Sequence, residues 1–154
     1  MKINFDINLT RKQQEAYDLI HSKDCKLLVA RWSRQCGKTI FAEIMLIEYL
    51  FKPNTFNAFI SPTHEHNKTV YSQLMKLLGD TGIIKKANGN DLIIETIYNS
   101  SLHFFSMAAP VAIRGKTVSG ILVMDEVGYF PKQLPSGEDP WYNVIYPITR
   151  PSTT

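Results

Sequence analysis

Residues 26–39 read KLLVARWSRQCGKT, and their order decides the fold. The first six form a short apolar run of the length expected for a buried strand. A polar loop follows, and from Lys38 a helix-like segment continues to about Phe51, ending before Pro53. Strand, loop and helix joined by Gly37-Lys38-Thr39 are the closing half of a Walker A phosphate loop. Gly37 lets the backbone curl and bring its N–H groups against phosphate oxygens. Lys38 supplies a point charge for the β- and γ-phosphates, and the Thr39 hydroxyl is a ligand for Mg2+. The positive end of the helix dipole faces the same anion. The common form of the loop opens with a glycine, and that position holds Trp32 here.

The partner of such a loop lies far downstream. Residues 121–126 read ILVMDE, four apolar residues and then two carboxylates. This is the Walker B pattern: a buried strand delivers acidic side chains to its C-terminal end, where α/β sheets bind ligands. Asp125 is the candidate Mg2+ ligand. Glu126 is the candidate for orienting and polarising the water that attacks the γ-phosphate. Either motif alone has an ordinary explanation as a turn. Together they predict a nucleotide-binding domain that uses ATP and Mg2+.

Between these motifs, strand-like and helix-like segments alternate, which predicts an α/β domain with a mostly parallel sheet flanked by helices. Thr10 is the expected N-cap of a helix ending near Ser22, and Thr63 that of a helix ending near Leu78, with Gly79 as its stop. Residues 57–61 and 120–124 are expected as core strands. Residues 91–107 are expected as a β-hairpin turning at Asn99, Ser100 and Ser101. Residues 127–154 read as surface loops around one short helix near residues 141–145. Phe104, Phe105, Tyr98 and Tyr129 are expected in core and rim packing. His64 and His66, beside Glu65, are expected on a solvated helix face, with no third ligand at metal spacing.

Composition narrows the class. The 154 residues give room for one domain with a real core, not for two full ones. With 44% hydrophobic and 20% charged residues, the chain reads as globular. A net charge of +3 permits an anionic partner without demanding one. The two cysteines, Cys25 and Cys36, exclude a disulfide framework; Cys25 is expected as a buried thiol. The most apolar stretch, residues 40–51, is short and interrupted by Glu43 and Glu48, so no membrane span is expected. The opening MKINFDINLT lacks the pattern of a signal peptide, which makes the cytoplasm the expected location.

The loop variant Ser33-Arg34-Gln35-Cys36-Gly37-Lys38-Thr39 resembles the P-loop of the large terminase subunits of tailed phages, a family that tolerates loss of the first glycine. LTRKQQ, residues 9–14, resembles the family's adenine-recognition motif, with Gln13 as the first choice for the base-reading glutamine and Gln14 as the second. Ser61-Pro62-Thr63 resembles its helicase-like segment, and Ile113-Arg114-Gly115 its Arg-Gly turn. The resemblance implies a P-loop NTPase of the RecA-like (ASCE) class with a β-hairpin insertion. It implies ATP hydrolysis that drives double-stranded DNA into a procapsid, by a homo-oligomeric ring on a portal protein, with a small terminase subunit, in the host cytoplasm. It also implies that residues 33–39 hold the nucleotide; Arg34, inside that loop, is placed to stabilise charge on the γ-phosphate or sense its loss, or else is a solvated loop arginine. Arg114 is implied as a finger toward a neighbouring subunit's nucleotide, or else as a turn arginine paired with a surface carboxylate.

In that pattern a loop and a strand with a Ser/Thr-rich coupling motif follow Walker B, and a nuclease domain follows those. The sequence ends at ITRPSTT, so the expectation is one partial ATPase domain over residues 1–154 without the nuclease. Two rival readings remain open: a helicase-type P-loop ATPase acting on nucleic acid, and a nucleotide-binding module that does not hydrolyse.

Overall fold

In the computed structural model, which describes residues 7–150, the first helix starts where its cap chemistry puts it. Helix α1 covers Arg11–Ile20, and its N-cap Thr10 forms a reciprocal capping box with Gln13. The Thr10 hydroxyl accepts from the Gln13 amide, and the Gln13 side-chain oxygen accepts from the Thr10 N–H at 2.9 Å. Two donors that the first turn would leave unpaired are thereby satisfied. Helix α2 follows as Lys38–Leu50, ending one residue before the expected limit.

Residues 26–31 form no strand. Leu27 is 59% exposed and Val29 79% exposed. This corrects the expectation of a buried core strand. An apolar run becomes a strand only when a neighbour takes up its N–H and C=O groups, and none of the five strands of the sheet includes these residues. Cys25 is partly exposed rather than buried.

The chain divides into two compact units, Met1–Phe41 and Ala42–Thr154. The second contains the sheet, in the order β2-β3-β4-β1-β5. Its strands are β1 (Phe56–Ser61), β2 (Ile84–Asn88), β3 (Ile93–Thr96), β4 (Ser101–Ser106) and β5 (Leu122–Met124). The core trio β4-β1-β5 is parallel, and β2 and β3 extend it antiparallel. The expected hairpin is present as β3 and β4, with Asn99 left-handed in its turn. β2 is an addition to that reading. Its exposed Lys85 and Lys86 suit an outer strand, where charge discourages pairing with other chains.

β1 lies in the middle of the parallel trio and is buried along almost its whole length, as a strand covered on both faces must be. Phe59 meets Phe104 on one face, ring centroids 5.5 Å apart, under helix α3 (His64–Leu78). That helix turns Val70, Leu74 and Leu78 inward at four-residue spacing. Its N-cap is Thr63, as expected. Gly79 follows its last residue but stays right-handed, and the left-handed turn falls on Gly82 after a 3-10 turn. On the other face, Ala58 and Ile60 join a cluster with Phe105, Ile113, Leu134, Val144, Ile145 and Ile148. The short helix expected near residues 141–145 is present as a π-helical turn, Trp141–Ile145, continued by α4 (Tyr146–Ile148), but together with Leu134 it packs into this face of the sheet, which corrects the expectation of a surface position. Among the described residues no helix is long and apolar enough to cross a membrane.

The buried Asn57 ties the parallel strands together. Its Nδ2 donates to the Ser101 carbonyl at 3.1 Å, and its Oδ1 accepts from the Ile121 N–H at 2.9 Å. Gly120 runs so close that a Cβ there would stand 2.0 Å from Asn57 Oδ1. Gly120→Ala is therefore expected to cost about 2 kcal/mol, since a buried clamp must shift to admit the methyl group. Thermal unfolding checks this: an unchanged midpoint would mean that the clamp yields freely.

Candidate functional site

The predicted phosphate loop is built on two left-handed residues, Gln35 (φ 59°) and Gly37 (φ 71°). Backbone of this kind turns successive N–H groups inward, the arrangement that binds anions. Gly37 is also pressed from the side. Gln13 Nε2 donates to its carbonyl at 3.1 Å, and a Cβ at 37 would lie 2.7 Å from that nitrogen. The Gly37 carbonyl accepts from the Phe41 N–H at 2.9 Å, which joins the loop to the first turn of α2. Both ends of the Gln13 amide are thus engaged within the chain, one on the cap of α1 and one on the loop. Gln14 is exposed and donates to Asp18.

Lys38 reaches back across the loop, its Nζ donating to the Trp32 carbonyl at 3.0 Å. The Trp32 ring packs against Phe41 with centroids 5.6 Å apart. The position that usually holds glycine therefore supplies an aromatic anchor here, and its carbonyl receives the lysine. Ser33 Oγ lies 2.8 Å from Cys36 Sγ. Arg34 is exposed, and Thr39, the second residue of α2, is half-buried.

The acidic pair belongs to the sheet. The Asp125 N–H donates to the Ile60 carbonyl at 2.9 Å, continuing the β1–β5 ladder by one residue. Asp125 Oδ1 accepts from the Glu126 N–H at 2.9 Å, and Oδ2 lies 3.1 Å from His66 Nε2. His66 was expected on a solvated face. Its side chain is only 29% exposed, and Asp125's only 13%. No local signal marks this pair, 59 residues apart. Topology brings them together: β1 and β5 are adjacent and parallel, and α3 starts directly after β1, so its first turn overhangs the end of β5. Glu126 is exposed and left-handed, at φ 55° and ψ 37°. For a residue with a Cβ that conformation costs about 1 kcal/mol, a strain found more often at functional positions than elsewhere.

Arg114 follows the 3-10 turn Pro110–Ile113. It forms an ion pair with Glu138, which also accepts from Ser136 Oγ at 2.9 Å. The hydrogen bonds from Arg114 and Ser136 hold the Glu138 carboxyl below its usual range. Ile113 anchors the turn from within the core, and Gly115 takes the left-handed conformation (φ 77°) that follows the arginine.

Residues 30–135, more than half of the chain, match the family described as terminase large subunit, T4-like-virus type, N-terminal. Among solved structures, the chain is similar to the large terminase ATPase domain of Thermus phage P74-26, with a TM-score of 0.59 and 18% identity. An arginine-to-alanine mutant of the same domain gives 0.60 at 18% identity. Both comparisons cover 75% of this chain and 51% of the other, so the chain spans about half the length of those relatives. At that identity the likeness speaks for the fold alone. No curated protein matches the chain.

Proposed function

The chain belongs to the T4-type terminase large subunit family, and on that premise we propose that it is the ATP-hydrolysing part of a motor that packages double-stranded DNA. The single observation that carries this reading is the end of β5. There a parallel strand presents Asp125, with its carboxylate held on both oxygens, and then the strained, exposed Glu126.

In this reading the fold is a RecA-like P-loop ATPase domain over residues 1–154, and each residue has a task that its chemistry permits. The N–H groups of residues 33–39 cradle the phosphates, and Lys38 exchanges the Trp32 carbonyl for phosphate oxygens. Gln13 is assigned to the base edge and Arg34 to the γ-phosphate. Thr39 and Asp125 are assigned to Mg2+, which a hydroxyl and a carboxylate suit as hard oxygen ligands. When bound, the ion would neutralise charge on the phosphates. Glu126 accepts a hydrogen bond from the attacking water and orients it. For Arg114 to serve a neighbouring subunit in a ring on a portal protein, it must first leave Glu138. The small terminase subunit and the host cytoplasm complete the proposed setting.

The full-length protein separates a packaging motor from a helicase. It is expected to displace a third strand bound in the groove of intact duplex DNA, using ATP, and to leave a forked duplex unseparated. Strand separation without triplex displacement would overturn the packaging reading in favour of a helicase, and no ATP-dependent activity at all would favour the non-hydrolysing module.

A further inference from the structure

We propose that His66 is a positioning residue for the Asp125 carboxylate. The inference rests on the reading of Asp125 as the acidic metal ligand of the site and adds a partner to it from another element.

The geometry has three parts. First, the contact: His66 Nε2 lies 3.1 Å from Asp125 Oδ2, and toward a carboxylate acceptor it is the Nε2–H tautomer of the imidazole that donates. Oδ1 is engaged locally by the Glu126 N–H. One bond alone would let the carboxylate swing about its side-chain torsions, whereas bonds to both oxygens from different directions fix its plane.

Second, the ring itself is fixed. It stacks on Phe59 of β1, with centroids 6.1 Å apart and planes 22° from parallel, and Phe59 is fully buried. The His66 backbone N–H donates to the Thr63 hydroxyl at 3.3 Å, so the residue sits in the capped first turn of α3. Third, Ser61, the last residue of β1, bonds through Oγ to Asn67 Oδ1 at 2.7 Å, which pins the same turn to the sheet. His66 therefore transmits the position of a rigid strand and a capped helix to a side chain at the end of the neighbouring strand. Groups that hydrogen-bond a metal's ligands orient them, and losing one typically costs 10- to 100-fold in metal affinity or activity.

The test uses the full-length protein and three variants. His66→Phe keeps a ring for Phe59 and removes the N–H. His66→Gln restores an amide N–H near the position of Nε2. Asp125→Asn removes the carboxylate. The expected result for His66→Phe is Mn2+ affinity, read by electron paramagnetic resonance with ATP present, weaker by about 10- to 100-fold. Its kcat falls with little change in KM for ATP at saturating metal, and His66→Gln recovers most of both losses. In wild-type protein the 15N spectrum should place the His66 proton on Nε2, a preference lost in Asp125→Asn. Wild-type metal affinity and kcat in His66→Phe, or equal losses in the Phe and Gln variants, overturn the positioning role. If His66→Phe does not fold, His66→Gln decides through the same measurements: near-normal values support the role, and a full loss overturns it. Should Asp125→Asn itself retain normal metal affinity and turnover, the reading of the site falls, and the inference with it.

Discussion

Glu126→Gln in the full-length protein is expected to hold ATP with undiminished affinity and to lose turnover by about 10²- to 10⁴-fold, the usual contribution of a general base. The amide has nearly the shape of the carboxylate but cannot polarise water as an anion does. Its backbone strain is also unchanged, because glutamine carries the same Cβ into the left-handed region at φ 55°. Glu126→Gly separates the two properties. It should be as inactive as Glu126→Gln yet more stable than the parent by about 1 kcal/mol, since glycine adopts positive φ without steric penalty. Single-turnover hydrolysis and chemical denaturation read the two effects independently. Normal turnover in Glu126→Gln would move the base elsewhere. A destabilised Glu126→Gly would mean that contacts of the side chain, rather than a function requiring glutamate, hold residue 126 in its conformation.

The second large effect belongs to Lys38. Lys38→Ala is expected to weaken ATP binding by roughly 10²- to 10⁴-fold, because in the proposed site the ammonium would make charge-assisted contacts with two phosphates at about 1.5–3 kcal/mol each. The fold should be indifferent. The bond lost within the chain is to the Trp32 carbonyl, on a loop of exposed and half-buried residues where water can replace the donor. Trp32 keeps its packing on Phe41. Calorimetric titration measures the affinity, and undiminished binding would remove residues 33–39 from the nucleotide site. The loop and the acidic pair are thus open to separate failure: the proposed function assigns binding to Lys38 and chemistry to Glu126.

The local chemistry of the sequence determined the helices and the motifs. Thr10 and Thr63 cap α1 and α3 because a hydroxyl placed before a run of N–H groups satisfies donors that nothing else nearby can reach. The turn at Asn99 and the apolar run before Asp125 mark the hairpin and β5 for similarly short-range reasons. Tertiary structure decided the rest, because pairing and burial depend on residues distant in the chain. Residues 26–31 have the composition of a core strand and form none, since composition supplies propensity but not a hydrogen-bonded neighbour. Leu134 and Ile148 read as loop, and Val144 and Ile145 as part of a short surface helix, yet all four lie in the core, because the sheet face they cover is built from strands up to ninety residues earlier. His66 reads as solvated and meets Asp125, because two parallel strands end at the same edge and the helix after the first overhangs the second. A sequence displays its caps and turns within a few residues, whereas the partner of a buried or paired side chain is chosen by the fold.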